Sequence, residues 1–172
     1  MTKKMRCTLC ATISLIGMML FAPSASAATP MTFTLIAGAL SISTPTTSVA
    51  LGTEVSSTSS STISGAIGVV TVTDQRGGAT TWTASAIATA FTPPAGPADP
   101  ASNVSYLAGP ITVSSTVVAT ALSATDLTGV SAVVTGASTG ISTASWNPII
   151  SVIVPANFAP GIYSATITQS VA

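Results

Sequence analysis

Val70–Ser85 reads VTVTDQRGGATTWTAS. Two alternating runs, Val70-Thr71-Val72-Thr73 and Thr81-Trp82-Thr83-Ala84, flank the segment DQRGGAT. Apolar and polar residues in alternation have the period of a half-buried strand. Asp74 can accept hydrogen bonds from turn N–H groups, and Gly77 and Gly78 can take positive φ, so a β-hairpin is expected. Arg76 is the one cation after Arg6. Two roles suit it. As a structural pin, its planar fork ties the turn to Asp74, to another carboxylate or to backbone carbonyls, and it can stack on Trp82. As a site, Asp74, Arg76 and Trp82 together face a ligand such as a glycan. The structural role is the expected one, with Trp82 in the core beside Ala84, Ala86 and Ala88.

Outward from this stretch, Thr, Ser, Val and Ile dominate, and β-branched residues favour a pleated surface. Strands are expected over Met31–Ile36, Ala39–Ile42, Ser48–Leu51, Gly68–Thr73, Thr80–Phe91, Val104–Leu107, Ile111–Ala119, Ser131–Thr135, Ile149–Val154 and Ile162–Val171. Ile149–Val154 is apolar on both faces apart from Ser151, which predicts a central strand covered on both sides. Ser56–Thr62 is a polar, low-complexity loop. The four prolines of TPPAGPADPAS, Thr92–Ser102, keep that linker out of a ladder. The pattern predicts an all-β chain, a single antiparallel β-sandwich of Ig-like type with no substantial helix. An all-helical reading of the alanine-rich pieces is opposed by the β-branched density and the prolines.

The 172-residue chain opens with a basic stretch (Lys3, Lys4, Arg6), an apolar run from Leu9 to Phe21 and the small residues Ala25-Ser26-Ala27. These are the parts of a secretory signal peptide over 1–27, with cleavage after Ala28 as the alternative. A retained N-terminal anchor is the competing reading. A domain over 28–172, long enough to bury a core, follows, and the protein is expected outside the cytoplasm. Cys7 and Cys10 fall in the leader, so residues 28–172 hold no Cys, His or Lys. Their charges are Glu54, Asp74, Arg76, Asp99 and Asp126. No basic patch is available for phosphates, which argues against nucleic acid. Mean hydropathy is +0.70. Residues 28–172 nevertheless hold no run of ~18 apolar residues, so no spanning helix is expected.

Preceded by GALSIS (38–43), the segment GVVTVTDQRGGATTWTASAIATAFT (68–92) resembles the WxL domain of surface proteins from Gram-positive bacteria. That family pairs a Val-Thr-Asp-x-Arg-Gly turn with a following Trp-x-Leu strand. FAPGIYSATITQSVA (158–172) is similar to the family's terminal Tyr strand. The resemblance runs from about Leu40 to Ala172. It implies export and non-covalent association with the cell wall through peptidoglycan. The chain departs from the pattern in two places: Trp82 is followed by Thr83-Ala84, and the terminal strand carries no second Trp-x-Leu. It reads as a divergent, WxL-like member.

Without His, Cys or Lys, the common triads, thiol sites and Schiff-base lysines cannot be built, and zinc lacks its usual ligands. No spacing among Glu54, Asp74, Asp99 and Asp126 favours a glycosidase pair or a calcium loop. No enzyme activity, cofactor or metal is expected. Of the aromatics, Tyr106 beside the proline-rich linker is the expected exposed platform for a sugar. The functional expectation is a secreted, non-catalytic protein associating with cell-wall glycan or with other surface proteins. The alternative is a structural subunit of a surface or pilus-like layer that engages partners through strand edges.

Overall fold

A computed structural model describes residues 27–172; the signal peptide read over 1–27 lies, apart from Ala27, outside the described residues. The chain divides into two units, Met1–Thr34 and Leu35–Ala172. In the first, Ala27–Thr34 has no regular structure and is exposed. The second is all-β and sandwich-like. Its strands are β1 (Leu40–Ser43), β2 (Ser61–Ala66), β3 (Val70–Asp74), β4 (Thr80–Ala88), β5 (Val104–Leu107), β6 (Ile111–Val113), β7 (Val117–Ala121), β8 (Ser123–Ala124), β9 (Ser131–Ser138), β10 (Ser142–Trp146), β11 (Ile149–Val154) and β12 (Ile167–Val171). Among the described residues the only helical element is a single 3-10 turn, Ala101–Asn103.

Three antiparallel sheets result, with orders β1-β3-β10-β6, β2-β11-β5-β8 and β12-β4-β9-β7. Besides the long loop 44–60 from β1 to β2, the first two are joined by three short chain segments, β2 into β3, β5 into β6 and β10 into β11. Each breaks at the same level, at Ile67–Val69, Ala108–Pro110 and Asn147–Pro148. Pro148 has no N–H to give a ladder, and it sits buried at this crease. Across the crease, the Ile67 N–H donates to the Pro148 carbonyl at 3.1 Å and the Gly68 N–H to Asn147 Oδ1 at 3.1 Å. Gly68 has φ +98°, a conformation that favours glycine.

The first and third sheets are joined at one end by three crossings: β3 to β4, β6 to β7 and β9 to β10. The expected hairpin between β3 and β4 is therefore not formed. The two strands lie in different sheets, and Gln75–Ala79 arches between them. Alternation alone does not distinguish a hairpin from an arch, because both flank a turn with half-buried strands. The arch at Ser114–Thr116 likewise divides the expected strand Ile111–Ala119. Its Ser114 Oγ accepts from the Thr143 N–H at 3.1 Å, and its Thr116 hydroxyl donates to the Ile141 carbonyl at 2.7 Å.

Other expectations shift for physical reasons. Met31–Ile36 is unpaired. The β1–β3 ladder ends with bonds between Gly38, Ala39 and Gln75, after which β3 has turned away. Ser48–Leu51 is not a strand, and Leu51 packs by backbone and side chain against Gly65 instead. Ser61-Thr62, read as loop, opens β2. Ile149–Val154 is internal to its sheet, but only Ile150 and Val152 are buried; Ile149 (41 % exposed) and Ile153 (50 %) leave its outer face open. The last strand begins at Ile167, with Ser164 making only an isolated bridge to Thr92.

The core follows the alternation. Val70 and Val72 on β3 and Trp82, Ala84, Ala86 and Ala88 on β4 all point inward. A register shift between Ala84 and Ser85 leaves Val133 as the extra residue on β9, so Val133 and Val134 are both buried. Trp82 lies opposite Gly136, and a Cβ there would overlap the indole ring. The small Ala and Gly neighbours make space for that ring. Gly136→Ala should therefore destabilise the domain by about 1–3 kcal/mol through overpacking. Combined with Trp82→Phe, the loss should be less than additive, because the smaller ring vacates the contested volume. A double-mutant cycle by chemical denaturation reads the difference, and strict additivity would show that the two residues do not compete for space.

Candidate functional site: the arch clasp and the hydroxyl face

Asp74 ends β3 with no solvent exposure. A carboxylate so placed must be paired and hydrogen-bonded. Arg76 Nε donates to Asp74 Oδ1 at 2.9 Å and Nη2 to Oδ2 at 3.0 Å, a bidentate fork. The Arg76 backbone N–H adds a third bond to Oδ1 at 3.1 Å. The Thr80 hydroxyl donates to Oδ2 at 2.7 Å, and Arg76 Nη2 reaches the Thr81 carbonyl at 2.9 Å. Thr80 and Thr81 open β4, so the cluster ties the first sheet to the third. Gly77 and Gly78, at φ +73° and +70°, carry the chain around the fork. Below this clasp, Ser138 on β9 and Ser142 on β10 share a buried hydrogen bond of 2.7 Å across the next arch. Their registers set them beside Thr80 and Asp74 respectively.

Asp74 and Arg76 are thus brought together as expected of a pin, and Trp82 is placed apart from them, in the core at 3 % exposure. Arg76 does not stack on it, since its guanidinium is held by Asp74 and Thr81. Among the described residues, Trp82 Nε1 is the one buried side-chain polar atom without a hydrogen-bond partner. The Arg76 fork holds the Asp74 carboxyl well below the usual carboxylate range; burial opposes this, and the Thr80 bond adds to it.

The remaining carboxylates are dispersed. Glu54 is on the exposed loop before β2. Asp99 is buried, accepts from Asn103 Nδ2 at 2.6 Å, and has its carboxyl pushed up by that burial. Asp126 accepts from the Thr128 N–H at 2.8 Å in the loop before β9. No group of three or more His, Cys, Asp or Glu residues that could hold a metal occurs among the described residues. No helix among them is long and apolar enough to cross a membrane.

Tyr106 corrects its expectation: it is 1 % exposed and is no surface platform. Its hydroxyl accepts from Trp146 Nε1 at 2.8 Å and donates to Gln169 Oε1 at 2.8 Å. Trp146 is on β10, Tyr106 on β5 and Gln169 on β12, so this one chain of bonds joins all three sheets. Burial pushes the Tyr106 hydroxyl up to about 12, partly offset by the Trp146 bond. The proline-rich linker suggested exposure, but the alternation of Val104-Ser105-Tyr106 marked Tyr106 as inward.

The outer face of the first sheet carries a second set of residues that the sequence reading did not assemble. Register aligns Ser41, Thr73 and Thr143 in one row and Ser43, Thr71, Ser145 and Thr112 in the next. All seven alternate with inward residues and are exposed or half-exposed. Rows of this kind repeat at about 4.8 Å between strands and about 7 Å along them. Beside them, at the crease, is a hollow of about 310 Å³ lined by Val69, Pro110, Thr112, Ser145, Trp146 and Asn147. The signal was present in the tripeptides SIS, TVT and TAS, but cross-strand register is not written in any one of them.

Compared with protein-family models, with curated proteins and with solved structures, the chain matches none.

Two measurements follow from these bonds. Because the folded Asp74 binds its proton less readily than the unfolded chain, its contribution is present above about pH 4 and lost as pH falls toward its folded value. Asp74→Asn should cost about 1–3 kcal/mol at neutral pH and flatten the acid side of the stability profile. An equally steep acid decline in the variant would show that the clasp is not its source. Tyr106 has the opposite sign: its raised value gives stability present below about pH 10 and lost as pH rises toward about 12. Tyr106→Phe should cost about 1–3 kcal/mol by stranding Trp146 Nε1 and Gln169 Oε1, and should remove that alkaline loss. Calorimetric melting across pH 7–12 would reveal it.

Proposed function

We propose that this is an exported, non-catalytic β-sandwich protein of the Ig-like, WxL-like kind that associates non-covalently with cell-wall glycan, peptidoglycan first. The observation that carries the reading is the uncharged hydroxyl face of the first sheet with its adjoining hollow. Each Ser or Thr hydroxyl both donates and accepts, as the hydroxyls of a polysaccharide do. Two aligned rows offer a repeating ligand a repeating surface. The Val72–Gly77 turn and its resemblance to wall-associated WxL proteins support the same class of partner. On this reading Asp74, Arg76 and Trp82 serve binding indirectly, by holding the sheet that bears the face.

A second reading, a subunit of a surface or pilus-like layer, is favoured by one observation: Met31–Ile36 alternates like a strand yet is unpaired and exposed.

Wall binding is tested by sedimenting the full chain with purified peptidoglycan. Saturable binding is expected, and Thr71→Val with Ser145→Ala should weaken it by about 2–10-fold per hydrogen bond lost, with melting unchanged. No saturable binding, or binding indifferent to these changes, would refute the assignment to this face.

A further inference from the structure

Each of the three sheets has two edges, formed by β1 and β6, β2 and β8, and β12 and β7. β2 is the longest of these edge strands, with six residues. Its one partner is β11. Ser61–Ala66 holds no charge and no proline, and its ladder with β11 runs without a bulge, so it lacks three of the devices that keep an edge from pairing. Along its inward side runs a groove of about 610 Å³, floored by apolar residues that include Leu51, Ile63, Phe91, Val152, Phe158 and Tyr163. Phe158 and Tyr163 stack there with ring centroids 5.7 Å apart. The groove is bordered by the loop Gly52–Ser60, which is exposed throughout. Two bonds tether that loop, Ser56 Oγ to the Phe158 carbonyl at 2.6 Å and the Asn157 N–H to the Ser57 carbonyl at 2.7 Å.

The same chain carries a segment of matching form. Met31-Thr32-Phe33-Thr34-Leu35-Ile36 is uncharged, has six residues, and alternates large apolar side chains with threonine through Leu35. Met31 and Phe33 are 91 % exposed and Leu35 is 89 % exposed. All six residues cannot pair along β2 of the same molecule, because Ile36 stays close to Gly38. Gly38 is bonded to Gln75 at the arch end of the first sheet. The nearer end of β2, Ala66, lies beyond the other end of β3, about 14 Å away at ~3.4 Å per residue, whereas Ile36, two residues from Gly38, stays within about 7 Å of it.

We propose that Met31–Ile36 adds as a strand to the free edge of β2 in a second copy of this chain, with Met31, Phe33 and Leu35 entering the groove beneath Ile63. Main-chain bonds supply the pairing and the alternate side chains supply the fit, as in other strand additions. Because each molecule carries one donor segment and one acceptor edge, the contact is head-to-tail and propagates into a ring or a fibre. This rests on the assembly reading above and names its strand and its edge.

The test is the mass of the full chain by light scattering from about 1 to 100 µM, with the double variant Phe33→Asp/Leu35→Asp. Both positions are exposed, so the variant should melt as the parent does. The parent should form concentration-dependent oligomers, and the variant should associate at least about tenfold more weakly, since two apolar side chains no longer enter the groove. In a Cys7→Ser/Cys10→Ser background, cysteines at Thr32 or Thr34 paired with one at Thr62 or Ser64 should give disulfide-linked dimers under oxidation. Monomer at every concentration would overturn both this proposal and the assembly reading. Oligomers that persist in the double variant, or cross-links confined within one molecule, would overturn the proposal and leave assembly to another edge.

Discussion

A carboxylate without solvent is tolerable only where its charge is met on the spot, and Asp74 imposes that condition on the whole arch end of the protein. Its two oxygens accept from Arg76, from the Arg76 backbone and from Thr80. Three of these four bonds come from Arg76 within the arch itself and the fourth from Thr80 at the start of β4, so the cluster fastens the arch to the strand it leads into. The single Arg of residues 28–172 therefore holds the arch to β4 as well as balancing the Asp74 charge. Lysine could not take its place, since an ammonium does not form the planar two-point contact. Removing both partners together should be gentler than removing either, as for other buried pairs.

The second junction works at neutral charge. Trp146, Tyr106 and Gln169 connect three sheets through two bonds. Tyr106 is the hinge of this arrangement because its hydroxyl is used as acceptor and donor at once. The crease between the first two sheets passes close in sequence, with Pro148 two residues after Trp146. A proline would be damaging inside a continuous central strand, but it is accommodated where the ladder is already broken. Crease and junction together let two shorter sheets share one core with the third. This helps a domain whose interior is built mainly of Val and Ala and whose few large side chains must each fill much space.

Legibility in the sequence divided along a physical line. Local alternation was readable: Val104–Leu107 and Ile149–Val154 form strands at the expected bounds, and Val70, Val72, Trp82 and Ala84 point inward as expected. The Asp74–Arg76 pair was readable because two residues of separation puts a short acid and a long fork within reach. What depended on distant partners was not. Hairpin and arch share one local pattern, so the destination of β4 was hidden. A neighbouring proline-rich linker points to exposure of Tyr106, whereas its burial is set by Trp146 and Gln169, 40 and 63 residues away. The hydroxyl rows needed the registers of four strands.

The surface follows from the same scarcity of charge. Residues 28–172 hold one cation and four acids, and Asp74 and Arg76 are consumed by each other. Proteins commonly guard free strand edges with lysine, and none is present in that range. Apart from Glu54 and Asp126, what remains outside is mainly hydroxyl and apolar. The glycan and assembly readings draw on separate parts of it, the face of the first sheet and the edge of the second. They use different residues, so molecules joined through β2 would repeat the hydroxyl face along the array. Many weak contacts to one polymer would then combine, because each bound face raises the effective concentration of the next. An uncharged, shallow face that binds feebly as a monomer would in that way hold firmly as an assembly.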